Sequence, residues 1–210
     1  MKEYNTIDYY GKYWNLPTIA FDKLDGSNLR FEISQKRGFY KYGTKRTLMD
    51  RKNEFGFAID VFLNKYERYL TKTFKDKKYR NIRSFVCFAE LIGLKSEFGK
   101  HDFKNDIFDV ILIDVEQHEL GLIHPKQFIK DFKKIGIPDV IYEGNLNKEF
   151  VDKVKNNEFN LKEGVVCKSV IPNKKENKLY YCKIKTNEWF DRLRSENKDL
   201  YDQEIKQSKL

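Results

Sequence analysis

Short apolar runs of strand length, each closed by a charged residue or a glycine, most constrain how this chain can fold. Between positions 18 and 43 the sequence predicts three strands, over residues 18–24, 28–34 and 38–42. In the second, the apolar Leu29, Phe31 and Ile33 alternate with Arg30 and Glu32, which is the period-two pattern of a half-buried strand. We therefore expect the first two strands to pair as a hairpin.

The rest of the chain reads as further strands and amphipathic helices. Strands are predicted at residues 84–92, 106–116, 139–142, 161–168 and 179–185, and helices at 53–74, 125–135, 147–156 and from 187 onwards. The run 107–113 is nearly continuous in apolar residues, which indicates a central strand. We predict an α+β fold, an antiparallel sheet with peripheral helices. It is expected to form one domain over residues 1–210, in which 187–210 are a short C-terminal helical extension.

The net charge of the chain, +9 at pH 7, suits a polyanionic partner such as nucleic acid. A coding sequence rich in A and T would also give an excess of lysine, so the charge alone leaves the partner open. A basic run follows the first predicted helix and is a candidate nucleic-acid contact, although most such runs are solvated surface. Its members are Lys72, Lys75, Lys77, Lys78, Arg80 and Arg83.

Targeting and metal-binding patterns are not found in the sequence. No segment resembles a signal peptide, and no apolar run approaches the length of a membrane span. We therefore expect an intracellular, cytoplasmic protein without membrane contact; an origin in a virus or phage is left open. The cysteines lie in apolar runs and form no pattern with the histidines, so buried thiols are expected instead of a zinc site.

Charged residues recur where the predicted strands end. They are the carboxylates Asp25, Glu90 and Glu163 and the lysines Lys23, Lys183 and Lys185. Lysines can offset the charge of phosphates, and carboxylates can hold a hydrated divalent cation and bind ribose hydroxyls. Because neither a P-loop nor a dinucleotide-binding glycine motif is present, a nucleoside triphosphate bound around a reactive lysine is the favoured interpretation. For Lys23 alone, a strand ending in an Asp-Gly turn is the competing interpretation.

Five short motifs, in order over about residues 18–186, resemble those of the covalent nucleotidyltransferases, the superfamily of polynucleotide ligases and mRNA capping enzymes. They are Lys23-Leu24-Asp25-Gly26, Phe88-Ala89-Glu90-Leu91-Ile92-Gly93, Phe108-Asp109-Val110, Glu163-Gly164-Val165-Val166 and Lys183-Ile184-Lys185. The resemblance implies an adenylation domain in which ATP transfers AMP to Lys23. It also implies that Lys183 and Lys185 contact the α-phosphate.

The same resemblance assigns the aromatic and acidic candidates. Phe108 would stack on the adenine, and Glu90 would contact the ribose. Glu163 would serve a divalent cation, Mg²⁺ or Mn²⁺, with Asp25 and Glu90 as further metal candidates that act through bound water.

Positions outside these roles favour the RNA ligases within the superfamily. DNA ligases generally carry arginine five residues after the lysine, whereas this chain has Asn28, as in the phage and RNA-editing RNA ligases, where it would bind the ribose. Arg46 resembles the arginine that those ligases place after the third strand, and Asp22 matches an acidic position that can read the adenine amino group. The resemblance thus implies an ATP-dependent RNA ligase, suited to RNA repair, that joins 5′-phosphate and 3′-hydroxyl ends through lysyl-AMP and adenylylated RNA.

Other interpretations of the motifs stay open. A DNA or DNA–RNA nick ligase shares the chemistry, a capping-type guanylyltransferase would use GTP, and a non-catalytic RNA-binding relative would form no covalent nucleotide. The residues after Lys185 are too few for the OB domain that DNA ligases and capping enzymes add. The basic run, the C-terminal helix, a second copy in a homodimer or a partner subunit could then supply the grip on RNA.

Overall fold

The strands of the computed structural model, which describes residues 1–172 and 179–208, fall into two separate sheets. The chain divides into two compact units, each containing one of the sheets. The first unit comprises Met1–Asn5 and Asp25–Ile137, and the second comprises Thr6–Leu24 and Pro138–Leu210. The predicted α+β class with antiparallel strands is confirmed, whereas the assignment of a single domain stays a prediction.

The elements follow the predicted order, with three additional short strands. The strands are β1 (Asp8–Tyr9), β2 (Pro17–Lys23), β3 (Ser27–Ser34), β4 (Gly38–Thr44), β5 (Leu48–Met49), β6 (Ser84–Gly93), β7 (Phe108–Gln117), β8 (Gly121–Leu122), β9 (Val140–Asn145), β10 (Gly164–Ser169) and β11 (Tyr181–Lys185). The α-helices are α1 (Phe57–Phe74), α2 (Pro125–Phe132), α3 (Lys148–Lys155), α4 (Asn187–Glu196) and α5 (Lys198–Ser208). The short strands β1, β5 and β8 were not predicted, because two residues carry no periodicity.

The first unit is built on a six-stranded antiparallel sheet of order β5-β4-β3-β6-β7-β8. Helix α1 packs on it through one apolar face at helical spacing. The ring of Phe62 stacks on Phe31 of β3 with centroids 3.7 Å apart, and the Tyr66 hydroxyl donates to the Val110 carbonyl of β7 at 3.1 Å. Burial of each such side chain contributes about 1.5–3 kcal/mol, so this face fixes α1 to the sheet.

The second unit is built on a five-stranded sheet of order β1-β11-β10-β2-β9. β1 and β11 are parallel, and the other neighbours are antiparallel. Its core is formed by buried residues of the sheet, α3 and the adjoining loops, which are Ala20, Leu146, Phe150, Val151, Val154, Leu161, Val165, Cys167, Cys182 and Ile184. All cysteines of the chain are buried and free, as expected.

The predicted hairpin between the first two strands is wrong, because β2 and β3 belong to different sheets. β2 lies between β10 and β9, and β3 lies between β4 and β6. After β2 the chain passes so close to β6 that a Cβ added at Gly26 would lie 2.1 Å from the carbonyl oxygen of Leu91. Alternating side chains predict a strand and its faces but not its neighbours. The sequence therefore gave no sign that the chain leaves the sheet of β2 and enters that of β3.

Two charged residues of the first unit depart from the predicted pattern. Arg30, which alternates with apolar residues in β3, is only 2% exposed. Its Nε donates to the Thr44 carbonyl at 2.7 Å, and its Nη1 donates to the Lys2 carbonyl at 3.0 Å. Glu90 does not end its strand, because β6 stays paired with both of its neighbours beyond this residue.

Two helices follow the last strand, where one closing helix was expected. Over residues 186–208, where the structure is described, no strand of an OB domain occurs, while residues 209–210 of the predicted extension lie outside the described ranges. Among the described helices, none is both long enough and apolar enough to cross a membrane.

Candidate functional site

Three adjacent strands of the second unit carry the predicted lysines and Glu163. Lys23 is the last residue of β2, Lys183 and Lys185 lie on β11, and Glu163 directly precedes β10. The strand register places Gly164, at the start of β10, opposite both Lys23 and Lys185. Residues far apart in the sequence are therefore brought together by the pairing of β2, β10 and β11.

Glu163 bridges two of these lysines. Its Oε2 accepts from Lys23 Nζ at 2.8 Å, and its Oε1 lies 3.0 Å from Lys185 Nζ. Burial by itself would raise the pKa of Glu163, but the charges of Lys23 and Lys185 outweigh it and hold the pKa below its usual value. A buried carboxylate is tolerated when it is paired in this way, so Glu163 is ionised and fixes the direction of both ammonium groups.

Gly164 makes this close arrangement sterically possible. Its φ of +153° is a conformation that residues with a side chain rarely adopt, and an added Cβ would lie 2.1 Å from the Ile184 carbonyl oxygen. Beyond β11, the Thr186 amide donates to the Glu163 carbonyl at 3.0 Å, and the Thr186 side chain caps α4. Trp189 of α4 is then stacked against Lys185, whose Nζ lies 3.5 Å from the ring centroid.

Glu204 of α5 and Tyr9 of β1 join the same set of charges, although no sequence motif pointed to them. Glu204 Oε2 accepts from the Tyr9 hydroxyl and lies 3.2 Å from Lys185 Nζ and 3.3 Å from Lys183 Nζ. Burial tends to raise the pKa of Glu204, but Lys185, Tyr9 and Lys183 lower it to about 2. We call Lys23, Glu163, Lys185, Glu204 and Lys183 the lysine cluster.

Asp22 precedes Lys23 on β2 and carries a buried acceptor. Its Oδ1 has no hydrogen-bond partner among the residues that the structure describes. Burial, together with repulsion from Asp139 and Glu163, raises the pKa of Asp22 to about 6. Such an oxygen is costly to bury unless a donor reaches it, so it is suited to accept from a bound ligand.

Asp25, Asn28 and Glu90 lie in the first unit. Asn28 of β3 and Glu90 of β6 are directly opposite each other in the strand register, so their side chains share one face of the sheet. Asn28 Oδ1 is buried and finds no hydrogen-bond partner within residues 1–172 and 179–208. Asp25 is buried, and its Oδ2 accepts from the Phe98 amide at 3.1 Å.

Arg46 and Asn28 line one cavity of the first unit, with a volume of about 580 Å³. Arg46 is exposed in the loop between β4 and β5, which is closed by a hydrogen bond from the Thr44 amide to the Thr47 carbonyl. Buried Arg30 holds the Thr44 carbonyl at the base of this loop. The size of the cavity is within the range of small-molecule sites, so the two predicted residues share a space that a nucleotide could fill.

Phe108 lies in a cluster of aromatic rings within the first unit. Its centroid is 5.3 Å from that of Phe57 and 5.6 Å from those of Phe103 and His101. His101 Nε2 is 2.8 Å from Ser27 Oγ, next to Asn28, and burial lowers the pKa of this histidine. The sequence contains the aromatic residues of this cluster, but no spacing identified His101 as their neighbour.

The predicted metal ligands do not form a closed cluster. Within the described ranges, no group of three or more His, Cys, Asp or Glu side chains could hold a metal ion. Asp25 and Glu90 belong to the first unit and Glu163 to the second, and both oxygens of Glu163 are engaged by lysines. Direct contact of a divalent cation with Glu163 would compete with these ion pairs for the same oxygens, so the metal assignment stays a prediction.

Comparisons with known proteins agree with the fold and with the motifs. The model of the RNA ligase family matches residues 17–185, which is most of the chain. A comparison of the sequence with curated proteins found no match.

Solved structures of the Naegleria gruberi RNA ligase share the fold. An aspartate-to-alanine variant in the apo form has a TM-score of 0.65 at 11% identity over 93% of this chain. A lysine-to-alanine variant with ATP and Mn has a TM-score of 0.63 at 13% identity over 91% of this chain. A complex with PPi has a TM-score of 0.61 at 15% identity over 93%. In each case the chain spans 58% of the length of the solved protein.

Proposed function

The chain belongs to the RNA ligase family, and we propose that it is an ATP-dependent RNA ligase that works through lysyl-AMP on Lys23. The observation that carries the proposal is the contact of Lys23 with buried Glu163, inside a cluster of three lysines and two glutamates. This cluster has a net charge of +1, so it favours an anion such as a phosphate.

In the first step, the ammonium group of Lys23 gives a proton to solvent, and the amine attacks the α-phosphorus of ATP; the nitrogen releases a second proton to solvent as the phosphoramidate forms. The bond from nitrogen to phosphorus forms, the bond to the bridging oxygen breaks, and pyrophosphate leaves with the electron pair. Lys183 and Lys185 are suited to offset the charge that builds on the α-phosphate, because both are held within the same cluster. The contact with Glu163 fixes the position of the Lys23 nitrogen.

The following steps transfer AMP and then release it. An oxygen of an RNA 5′-phosphate attacks the AMP phosphorus, and Lys23 leaves as the amine. The 3′-hydroxyl of a second RNA end then attacks the activated 5′-phosphate, which forms the phosphodiester and releases AMP. Both steps reuse the charge stabilisation of the lysine cluster.

Recognition of the nucleotide is assigned to buried acceptors and an aromatic ring. The unpartnered Oδ1 of Asp22 is suited to accept from the adenine amino group. Asn28, whose Oδ1 is also unpartnered within the described residues, is assigned with Glu90 to the ribose hydroxyls. Phe108 is assigned to the adenine face, and Arg46 to the phosphates.

A divalent cation is expected to accompany ATP. A related enzyme was solved with ATP and Mn, which supports a requirement for Mn²⁺ or Mg²⁺. Such an ion usually keeps several waters and takes few protein ligands, which is compatible with Asp25, Glu90 and Glu163 acting through water. It would neutralise charge on the phosphates.

The RNA strand is assigned to the basic run that begins in the last turn of α1. Lys72, Lys75, Lys77, Arg80 and Arg83 are all exposed there and could contact phosphates. Lys78 differs from them, because its ammonium group pairs with buried Asp131. A second copy or a partner subunit could extend this surface.

Incubation with α-labelled ATP and Mg²⁺ tests the proposal, with Lys23→Ala as the decisive variant and Lys12→Ala, which changes an exposed lysine of the same unit, as control. The wild type and Lys12→Ala should take up label, and Lys23→Ala should take up none. A wild type that stays unlabelled would contradict the proposal, and labelling by GTP in preference to ATP would indicate a capping-type enzyme. Competition between RNA and DNA ends would decide the strand preference.

A further inference from the structure

Glu204 lies outside every predicted motif, yet its carboxylate contacts both lysines of β11. Its Oε2 is 3.2 Å from Lys185 Nζ and 3.3 Å from Lys183 Nζ. The side chains of Lys185, Lys183 and Glu204 are 4%, 11% and 16% exposed, so solvent screens these contacts little. Glu204 is therefore a strong local charge for the two lysines.

The lysine cluster is an alternating series of charges in which each carboxylate joins two lysines. Glu163 joins Lys23 to Lys185, and Glu204 joins Lys185 to Lys183. Without Glu204, the ammonium groups of Lys183 and Lys185 would face each other with no carboxylate between them. Burial already lowers the pKa of Lys183, and the charges of Lys185 and Lys23 lower it further, while Glu204 opposes them.

We propose that Glu204 is a positioning residue for the self-adenylylation step, holding the ammonium groups of Lys183 and Lys185 side by side for the α-phosphate. The proposal rests on the function proposed above. It extends that function to a residue of α5, near the C-terminal end of the described chain. In this role the carboxylate acts on the α-phosphate through the two lysines.

The lysines keep the capacity to bind a phosphate while Glu204 is in place. Each ammonium group has three N–H donors. Among the described contacts, Lys183 gives one to Glu204, and Lys185 gives one to Glu163 and one to Glu204. Three lysines against two glutamates also leave a net positive charge, so an anion is still attracted.

Tyr9 also binds this carboxylate. Its hydroxyl donates to the same Oε2 of Glu204, and Lys183 Nζ lies 4.5 Å from the centroid of its ring. Tyr9 is 8% exposed and lies next to Lys183 in the parallel pairing of β1 with β11. The carboxylate is therefore fixed by the strand neighbouring the lysines as well as by its own helix.

A displaceable carboxylate is the opposite interpretation, in which Glu204 occupies the place of a phosphate and must leave before ATP binds. Helix α5 buries none of its described side chains, so it could move. The two interpretations predict opposite signs for removal of the charge. Positioning predicts slower adenylylation, whereas competition predicts tighter binding of ATP and faster adenylylation at limiting ATP.

The experiment measures self-adenylylation of the full chain against ATP concentration in Glu204→Gln and Glu204→Asp. Asp202→Asn removes an exposed charge from the same helix and serves as the matched control. We expect Glu204→Gln to lower the rate at saturating ATP by about ten- to a hundredfold, Glu204→Asp to recover part of it, and Asp202→Asn to equal the wild type. Glutamine keeps the size and one acceptor oxygen of the Glu204 side chain, so all variants should stay folded at the assay temperature, which thermal unfolding of each variant checks.

The outcomes separate the two proposals. If the wild type is labelled and Glu204→Gln matches it at every ATP concentration, positioning by Glu204 is overturned while the ligase proposal stands. Faster labelling of Glu204→Gln at limiting ATP would also overturn it, in favour of competition. An unlabelled wild type would overturn the proposed function and this inference together.

Discussion

Buried charge is arranged differently in the two units of this protein. In the first unit, Asp131 accepts from the ammonium group of Lys78, from the Tyr79 hydroxyl at 2.6 Å and from Gln127 Nε2 at 2.7 Å. These four residues, the Asp131 cluster, set one carboxylate against one lysine. In the second unit, the lysine cluster sets two carboxylates against three lysines.

The difference in net charge separates structural from chemical use of buried ions. In the Asp131 cluster, one ammonium charge balances one carboxylate charge. Lys78, Tyr79 and Gln127 hold the pKa of Asp131 below its usual value despite burial. Such a balanced cluster needs nothing further. The lysine cluster keeps an excess positive charge. The neighbouring Asp22 has a buried oxygen without a hydrogen-bond partner among the described residues, and a bound nucleotide would satisfy both features.

The largest effect is expected from Glu163→Ala, which removes the carboxylate between Lys23 and Lys185. Partly exposed Lys23 and buried Lys185 would lose their shared partner. Breaking a buried pair costs about 3–5 kcal/mol of unfolding free energy, and we expect the low end because Lys185 keeps its contact with Glu204. Self-adenylylation should fall by more than about a hundredfold, because Lys23 loses its contact with Glu163 and Lys185 loses one of its two carboxylate partners. Labelling with ATP and unfolding in urea measure the two effects.

Glu158→Gln, which changes an exposed acid of the same unit, is the control for this variant. It should retain both labelling and stability. Full self-adenylylation by Glu163→Ala would contradict the role assigned to Glu163.

Substitutions in the Asp131 cluster should change the stability of the protein but not its self-adenylylation. Lys78→Ala leaves the carboxylate of buried Asp131 without its ion pair, and we expect a loss of about 1–3 kcal/mol in unfolding free energy. Lys77→Ala, at the exposed neighbouring position, should change it by less than about 0.5 kcal/mol. Equal losses in urea unfolding would show that the Lys78 pair is not special.

The exposed members of the basic run should affect RNA alone. Replacing Lys75 and Lys77 together with alanine removes two charges that have been assigned to RNA phosphates. RNA joining should weaken several-fold, with the largest difference from the wild type at low salt, while self-adenylylation is unchanged. A parallel loss of both activities in gel assays would contradict this assignment and indicate a folding defect.

The smallest expected effect is a dependence of protein stability on pH, caused by the carboxyl group of Asp22. Its pKa of about 6 in the fold exceeds its ordinary value of 3.8, so the folded state binds this proton more tightly than the unfolded state. The resulting cost to stability is absent below about pH 4, grows up to about pH 6 and is complete above it. Asp22→Asn should therefore unfold at a higher temperature than the wild type at pH 7.5, and this gain should vanish towards pH 4.

Asp152→Asn, at an exposed position of α3, should show no such change between the two pH values. A gain for Asp22→Asn that is the same at pH 4 and pH 7.5 would contradict the raised pKa.

Local patterns in the sequence predicted the longer strands and pointed to the motif residues at or near their ends. Lys23, Glu163 and Lys185 were found because each lies at the end of an apolar run. The contacts between these runs could not be read in the same way, since alternation does not identify a strand's neighbour. The predicted hairpin failed for this reason, and the pairing of β10 with both β2 and β11 was not foreseen.

Residues that act through long-range contacts were missed altogether. Glu204 and Tyr9 are 195 residues apart; the pattern around Glu204 indicated only a helix, and Tyr9 lies outside every predicted element. Arg30 was expected on a polar face, but main-chain carbonyls satisfy its guanidinium inside the fold. Sequence periodicity records the hydrophobic side of burial, and it does not reveal which polar side chains find partners.

The central claim is that AMP becomes attached to Lys23. The direct measurement is peptide mass spectrometry of the protein after incubation with ATP and Mg²⁺, with digestion kept at alkaline pH to preserve the phosphoramidate. The account predicts one AMP per chain, on the peptide that contains Lys23. AMP on any other lysine, or a chain that carries none, would contradict it.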